Sequence, residues 1–207
     1  VEVKTLFTSD THWGHINIIQ YCSRPWVLPS ADLCKRCGFG RLDWADDHGA
    51  LCVHPDIIAH DQALVYNWNS VVGPDDVVFH LGDVAFGSLG DTAKVLSLLN
   101  GHKRLIMGNH DRHTKKAYRE AGFEEVSREY SLNIDGFRLK LIHDPKRAED
   151  LWAYDAVLCG HVHERWRERQ VEATRWNEKK VLRVINVGVD VRRYRPVTLE
   201  ELRAAGP

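Results

Sequence analysis

Five short polar motifs each follow an apolar, strand-like run in this 207-residue chain. They are Asp10-Thr11-His12, Gly82-Asp83, Gly108-Asn109-His110-Asp111, His143 and Gly160-His161-Val162-His163. Carboxylate and amide oxygens mixed with imidazoles suit manganese, iron, zinc, cobalt or nickel, rather than ions that demand thiolates. The supply of ligands is enough for two divalent cations, with manganese favoured. Two such ions about 3.5–4 Å apart can activate a shared water and clamp phosphate oxygens during in-line displacement. The chemistry to expect is hydrolysis of a phosphate ester.

In an extended segment, residues two apart share a face. Asp10 with His12, and His161 with His163, could then each aim at one ion. Gly82, Gly108 and Gly160 remove side chains where backbone must bend and pack close to cations. Asp83 has two oxygens and could bridge both metals. Asn109 offers a neutral carbonyl oxygen, which limits the negative charge facing an anionic substrate.

The elements that must position these motifs alternate between strands and helices. Val3–Thr8 reads as a strand and Pro55–Val71 as a helix with apolar residues at helical spacing. Val77–Leu81 is a second strand, Asp91–Leu99 a helix with an acidic N-cap, and Lys103–Met107 a third strand. A helix over Arg112–Ala121 ends at Gly122, and strands follow at Glu124–Tyr130, Ser131–Ile134, Arg138–Ile142, Ala156–Cys159 and Val181–Val187. Asp135-Gly136 marks a hairpin turn. Helices dominate the first half and strands the second, which points to two packed sheets with helices outside. Each motif then falls beyond the carboxyl end of a strand, where α/β proteins gather their ligand sites.

With these motifs in this order, the chain resembles the calcineurin-like metallophosphoesterase superfamily. The flanks Thr8-Ser9-Asp10-Thr11-His12-Trp13-Gly14-His15, Tyr66-Asn67-Trp68-Asn69 and Asn186-Val187-Gly188-Val189-Asp190 are similar to a small bacterial and phage subgroup. The resemblance runs from about Leu6 to Leu202, excluding one insertion. It implies an α/β (α+β) fold, a four-layer αββα sandwich of two mixed sheets. It implies Asp10, His12 and His163 on one ion, Asn109, His143 and His161 on the other, and Asp83 between them. Asn109 and His110 would contact the substrate. His110 would stand beside the phosphate, oriented by Asp111, and protonate the leaving oxygen or stabilise developing charge. The residue before His143 is Ile142, where many members have a small one.

Residues 26–55 break the periodic pattern and read as an insertion in a single domain spanning 1–207. Three of the five cysteines lie there. Cys34-Lys35-Arg36-Cys37-Gly38 has the spacing of a zinc knuckle, and Cys52-Val53-His54 supplies a second pair. A structural zinc on Cys34, Cys37, Cys52 and His54 would staple a segment too polar to build its own core, with His48 the competing fourth ligand. Cys22 and Cys159 read as small apolar fillers. His15 and His80 adjoin motifs and could support ligands, or could be ordinary structural histidines; His60, His102 and His113 read as ordinary.

A formal net charge of −1 says nothing for or against a nucleic-acid or membrane-surface partner. No apolar run reaches the length that spans a bilayer. A first segment without signal-like character makes the cytoplasm the expected location, with a cleaved precursor the alternative because the chain does not begin with Met. The expected partner is a phosphate-ester substrate, a phosphodiester before a phosphomonoester or a nucleotide pyrophosphate. Arg165–Arg169 with Arg175-Trp176 interleaves cations and indoles, as a nucleic-acid stacking platform does, although such a stretch is more often the solvated part of a hairpin. A zinc-containing nucleic-acid-binding module is therefore the competing class.

Overall fold

The computed structural model describes residues 2–28 and 54–204. In chain order the elements are β1 (Thr5–Thr8), α1 (Ile16–Tyr21), β2 (Val27–Leu28), β3 (His54–Pro55), α2 (Ile57–Asn69), β4 (Val77–His80) and α3 (Leu89–Leu98). There follow β5 (His102–Ile106), α4 (Lys115–Ala121), β6 (Glu125–Ser127), β7 (Glu129–Ile134), β8 (Phe137–Ile142) and β9 (Ala156–Cys159). Strands β10 (Glu168–Arg175), β11 (Glu178–Asn186) and β12 (Val197–Thr198) and helix α5 (Leu199–Ala204) complete the order.

Period-two burial builds the layers. Leu6, Val78 and Leu105 turn to a core shared with Leu64 and Trp68 of α2, Leu96 of α3 and Tyr118 of α4. Their neighbours Phe7, Phe79 and Ile106 turn the other way, onto Leu139, Leu141, Leu158 and Ile185 of the second sheet. Val157, Cys159, Leu182 and Val184 face outward again, under Leu151, Trp152 and Trp166. The first sheet runs β12-β1-β4-β5-β6, parallel except for β12. The second runs β10-β11-β9-β8-β7, with parallel β11-β9-β8 flanked by antiparallel hairpins. These are the two mixed sheets flanked by helices that the sequence leads one to expect.

Register brings the motifs to one rim. Thr8 pairs with His80 and His80 with Leu105, so Asp10, Asp83 and Gly108 leave the first sheet together. Leu141 pairs with Leu158 and Cys159 with Asn186, so His143, His161 and Gly188 leave the second sheet at the same level. A bridge between Ser9 and Gly188 joins the two sheets there.

Some local expectations shift. The N-cap of α3 is Ser88, whose hydroxyl accepts from Asp91 N at 3.2 Å; Asp91 sits in the first turn instead, where the helix dipole favours a carboxylate. Strand β10 has no apolar run to mark it and owes its place to the full-length ladder with β11. It carries Glu168, Arg169 and Arg175 of the Arg/Trp stretch, while Trp166 before it packs on the outer core and Trp176 after it is exposed at the hairpin turn. Cys22 and Cys159 are buried free thiols. Cys34, Cys37, His48 and Cys52 lie outside the described residues. The bounding segments β2 and β3 pair with each other, and Trp26 packs against the helical core. No helix among the described residues is long and apolar enough to cross a membrane.

Candidate metal centre

Left-handed backbone, not strand alternation, points the candidate ligands inward. Asp10, His12, Asp83, His161 and His163 have φ of 58°, 51°, 57°, 72° and 48°. Such values are uncommon for residues other than glycine, cost of order 1–3 kcal/mol each, and cluster at functional sites. Hydrogen bonds between loops hold them: Asp10 N to Gly82 O at 3.0 Å, His12 N to Asp83 O at 3.1 Å, and Trp13 N to Val84 O at 3.0 Å. The loops meet so closely that a Cβ on Gly82 (φ 96°) would stand 2.5 Å from Gly108 N. One on Gly160 would collide with Ser9 Oγ and stand 2.5 Å from Asp10 Oδ2.

Two ligand groups result. Asp10, His12 and His163 converge at one point, and Asp83, His143 and His161 at another. His161 and His163 therefore serve different groups; the extended spacing that would send both to one ion does not hold here. Asp83 Oδ2 lies 3.4 Å from His143 Nε2 and 3.7 Å from His12 Nε2, so this carboxylate stands between the groups. Asn109 Oδ1 lies 3.0 Å from His143 Nε2 and 2.9 Å from His161 Nδ1. Ligands bound about 2.1 Å from one ion at right angles are themselves about 3 Å apart, and the Asn109 spacings have that value. His12 is only 2% exposed, and both of its ring nitrogens lack a hydrogen-bond partner. A buried orphan imidazole costs free energy unless something absent from the protein chain satisfies it. Burial also pushes its pKa down to about 2, which keeps it neutral, the form that ligates a cation. The residues fit divalent cations.

Protonation elsewhere in the centre follows the same logic. Burial raises Asp10. Burial also opposes charge on His143 and His163, but carboxylate partners outweigh it. Asp83, with Asp10, lifts His143 to about 9, and Asp190, with Cys22 and Asp10, lifts His163 to about 11. Asp83 stays below the ordinary carboxylate range despite burial, chiefly through its hydrogen bond to His143.

Partners behind the ligands orient them, as outer hydrogen bonds generally do at metal sites. His143 Nδ1 donates to Leu81 O at 2.7 Å, which turns Nε2 toward Asp83. His163 Nδ1 donates to Asp190 Oδ2 at 3.0 Å. Asp190 is gripped by Arg24 through Nε at 2.8 Å and Nη2 at 3.0 Å. Arg24, 1% exposed, also donates to the carbonyls of Thr11 and Asp10 and to His60 Nε2. His60 Nδ1 then donates to Asp61, whose other oxygen receives Gly14 N. Cys22 also approaches His163 and Asp190, but Arg24 already neutralises that carboxylate, so the trio supports the centre instead of forming another. His80 accepts from Gly82 N and donates to Thr11 Oγ1, which donates onward to Val84 O. It thereby ties the Asp10–His12 loop to the Gly82–Asp83 loop, and burial holds it neutral, with a pKa down to about 3.

Arg24 and His60 are the site residues that sequence reasoning missed. Neither lies in a motif, and a buried arginine reads in a sequence like any surface one. Asp190 was visible only as part of a flank. Asp111 meets backbone, not the His110 ring. Its carboxylate accepts from Asp83 N at 2.8 Å, Val84 N at 3.1 Å and Gly108 N at 2.7 Å, clamping two motif loops together. His110 is fixed through its own backbone N–H, which donates to Asp83 Oδ1 at 2.9 Å, while its Nδ1 is buried without a partner.

An αββα sandwich with two groups of candidate cation ligands at one rim is an arrangement suited to metal-dependent hydrolysis. Residues 46–197 match the calcineurin-like phosphoesterase superfamily domain, and the chain belongs to that superfamily of metal-dependent phosphoester hydrolases. An uncharacterised protein of Methanocaldococcus jannaschii is 30% identical over 199 residues, covering 95% of this chain and 88% of its own length. The gene 66 protein of Mycobacterium phage L5 is 46% identical over 111 residues, 52% of this chain and 40% of that protein. A protein of unknown function from Aquifex aeolicus has the same fold, with a TM-score of 0.61 at 22% identity over 98% of this chain and 99% of its own.

Proposed function

We propose that the centre is dinuclear and that the protein hydrolyses phosphodiesters. The observation that carries this reading is Asp83 Oδ2, placed 3.4 Å and 3.7 Å from imidazoles belonging to different ligand groups. In this reading Asp10, His12 and His163 hold one cation, Asn109, His143 and His161 the other, and Asp83 both. Manganese is favoured for this ligand mixture. Bound together, two such cations supply Lewis acidity toward water and neutralise phosphate charge.

The chain's own residues do the rest. Asn109 and His110 stand at the solvent-facing side of the centre, where a phosphate can reach them. His110 protonates the leaving oxygen, with its backbone pinned by Asp83 and its loop by Asp111. Asn109 is exposed, which suits the second ester arm of a diester. The same centre would serve a phosphomonoesterase or a nucleotide pyrophosphohydrolase, which makes these the second reading.

A metal-resolved assay with bis-p-nitrophenyl phosphate beside p-nitrophenyl phosphate separates the two. Preference for the diester is expected, with turnover dependent on added divalent ion. Asp83→Ala should abolish nearly all hydrolysis; near-parental turnover in that variant overturns the dinuclear assignment.

A further inference from the structure

Phe86 follows the Gly82-Asp83 motif by three residues and is 47% exposed, an unusual place for a large apolar ring. One of its faces is taken: the His15 imidazole stacks on it with centroids 4.2 Å apart and planes 14° from parallel. Nearly half of the residue stays exposed beside that stack. Tyr21, 69% exposed, meets His15 edge-on at 6.3 Å, so a further aromatic ring flanks the stack.

This stack abuts the centre. His15 lies 5.5 Å from His12, and Phe86 lies 6.2 Å from His110, the residue assigned to the leaving oxygen. Its position is rigid. Phe86 N donates to Trp13 O at 2.7 Å, and Trp13 bridges Ala85. A Cβ on Gly14 (φ 76°) would stand 2.7 Å from Phe86 O, so the two loops are locked face to face. An ordered ring costs little further entropy when a partner stacks on it, which is what a binding platform needs.

We infer that Phe86, backed by His15, is a stacking platform for a planar ring on the leaving-group side, and that the substrates are phosphoesters of nucleosides. This rests on the proposed role of His110, since that role fixes which side the leaving group occupies. A simple alkyl alcohol gains only some apolar burial from an aromatic face, whereas every nucleobase has a π-face to stack on it. Aryl esters present the same chemistry from another source. Stacking of a base on an aromatic side chain contributes about 1–3 kcal/mol, roughly 5- to 150-fold in affinity.

The test compares binding of AMP, phenyl phosphate and ribose 5-phosphate to the manganese-loaded protein by calorimetry, alongside hydrolysis of nucleoside, aryl and alkyl phosphodiesters. AMP should bind at least about 5-fold tighter than ribose 5-phosphate. Phe86→Ala should collapse that ratio toward one, and Phe86→Trp should restore it. Equal binding of AMP and ribose 5-phosphate in the parent, or an unchanged ratio in Phe86→Ala, overturns the platform. A phenyl phosphate preference exceeding that for AMP keeps the platform but overturns the nucleoside assignment. Failure to hydrolyse any of the esters overturns the proposed function and with it the substrate assignment, while the platform itself stands or falls on the binding ratio, which is read without turnover.

Discussion

Arg24 and Asp190 are joined by two hydrogen bonds although 166 residues separate them in sequence. The pair is buried, and Asp190 is also the acceptor that turns His163 toward the first ligand group. Arg24 therefore connects the start of the chain, through the Asp10 and Thr11 carbonyls, to a ligand loop near its end. Replacing one member of such a pair leaves a buried charge uncompensated, at about 3–5 kcal/mol. Arg24→Met should lower thermal stability by that order. Asp190→Asn should weaken binding of the cation at Asp10, His12 and His163 by ~10–100-fold, the usual loss when an outer partner of a ligating histidine is removed. Ion titration with denaturation curves checks both; a parental manganese affinity in Asp190→Asn would mean His163 needs no such support.

His110→Ala is expected to keep its metal and lose rate. A positioned general acid contributes typically ~10²–10⁴-fold, most of it for poor leaving groups. The loss should be larger for alkyl diesters than for nitrophenyl diesters. Equal losses for both would assign His110 to charge stabilisation, and loss of bound ion would place it among the ligands.

Proton linkage at the centre has a definite sign. In the metal-free protein His143 and His163 are lifted to about 9 and about 11, above the ordinary 6.5. Their contribution to stability is complete below about pH 6.5 and is lost as pH rises through those values. A cation must displace those protons, so binding releases protons and tightens as pH rises from 6 toward 9. The metal-free protein should lose melting temperature over that range while the gain on adding manganese grows. Calorimetry in buffers of different ionisation enthalpy reads the protons directly, and proton uptake on binding would contradict the scheme.

For the segment between Leu28 and His54, Cys34→Ser should remove one zinc per chain and lower thermal stability while the ions at the Asp/His centre persist. Unchanged zinc content, or native thiols found paired as a disulfide, would refute the knuckle assignment of Cys34, Cys37, Cys52 and His54.

What the sequence made legible was whatever repeats a local rule. Short apolar runs marked β1, β4, β5, β8 and β9, and Asp135-Gly136 marked its hairpin turn, with φ of 51° and 80°. Strand β10 escaped because a solvated edge strand buries too few side chains to show a period. Helix α1 is a single short segment supported by tertiary contacts of Ile18 and Ile19. The motif residues were legible as a set, but the reason they converge was not. Left-handed φ at Asp10 and His12 depends on hydrogen bonds to a loop about seventy residues away in sequence, which no local pattern encodes. Asp111 illustrates the same limit: its neighbour His110 is adjacent in sequence, yet its carboxylate serves three backbone amides.

The short ladder between β2 and β3 has a consequence for the segment between them. Leu28 sits opposite His54, and Asp56 N donates to Trp26 O at 2.9 Å, so the fold closes on itself where the intervening segment begins and ends. Because the two ends are held in register by the parent fold, closing a longer chain between them costs only about 0.6 kcal/mol per doubling of length. The join therefore fixes where the intervening segment leaves and re-enters the fold, so the placement of the sheets does not depend on that segment's length.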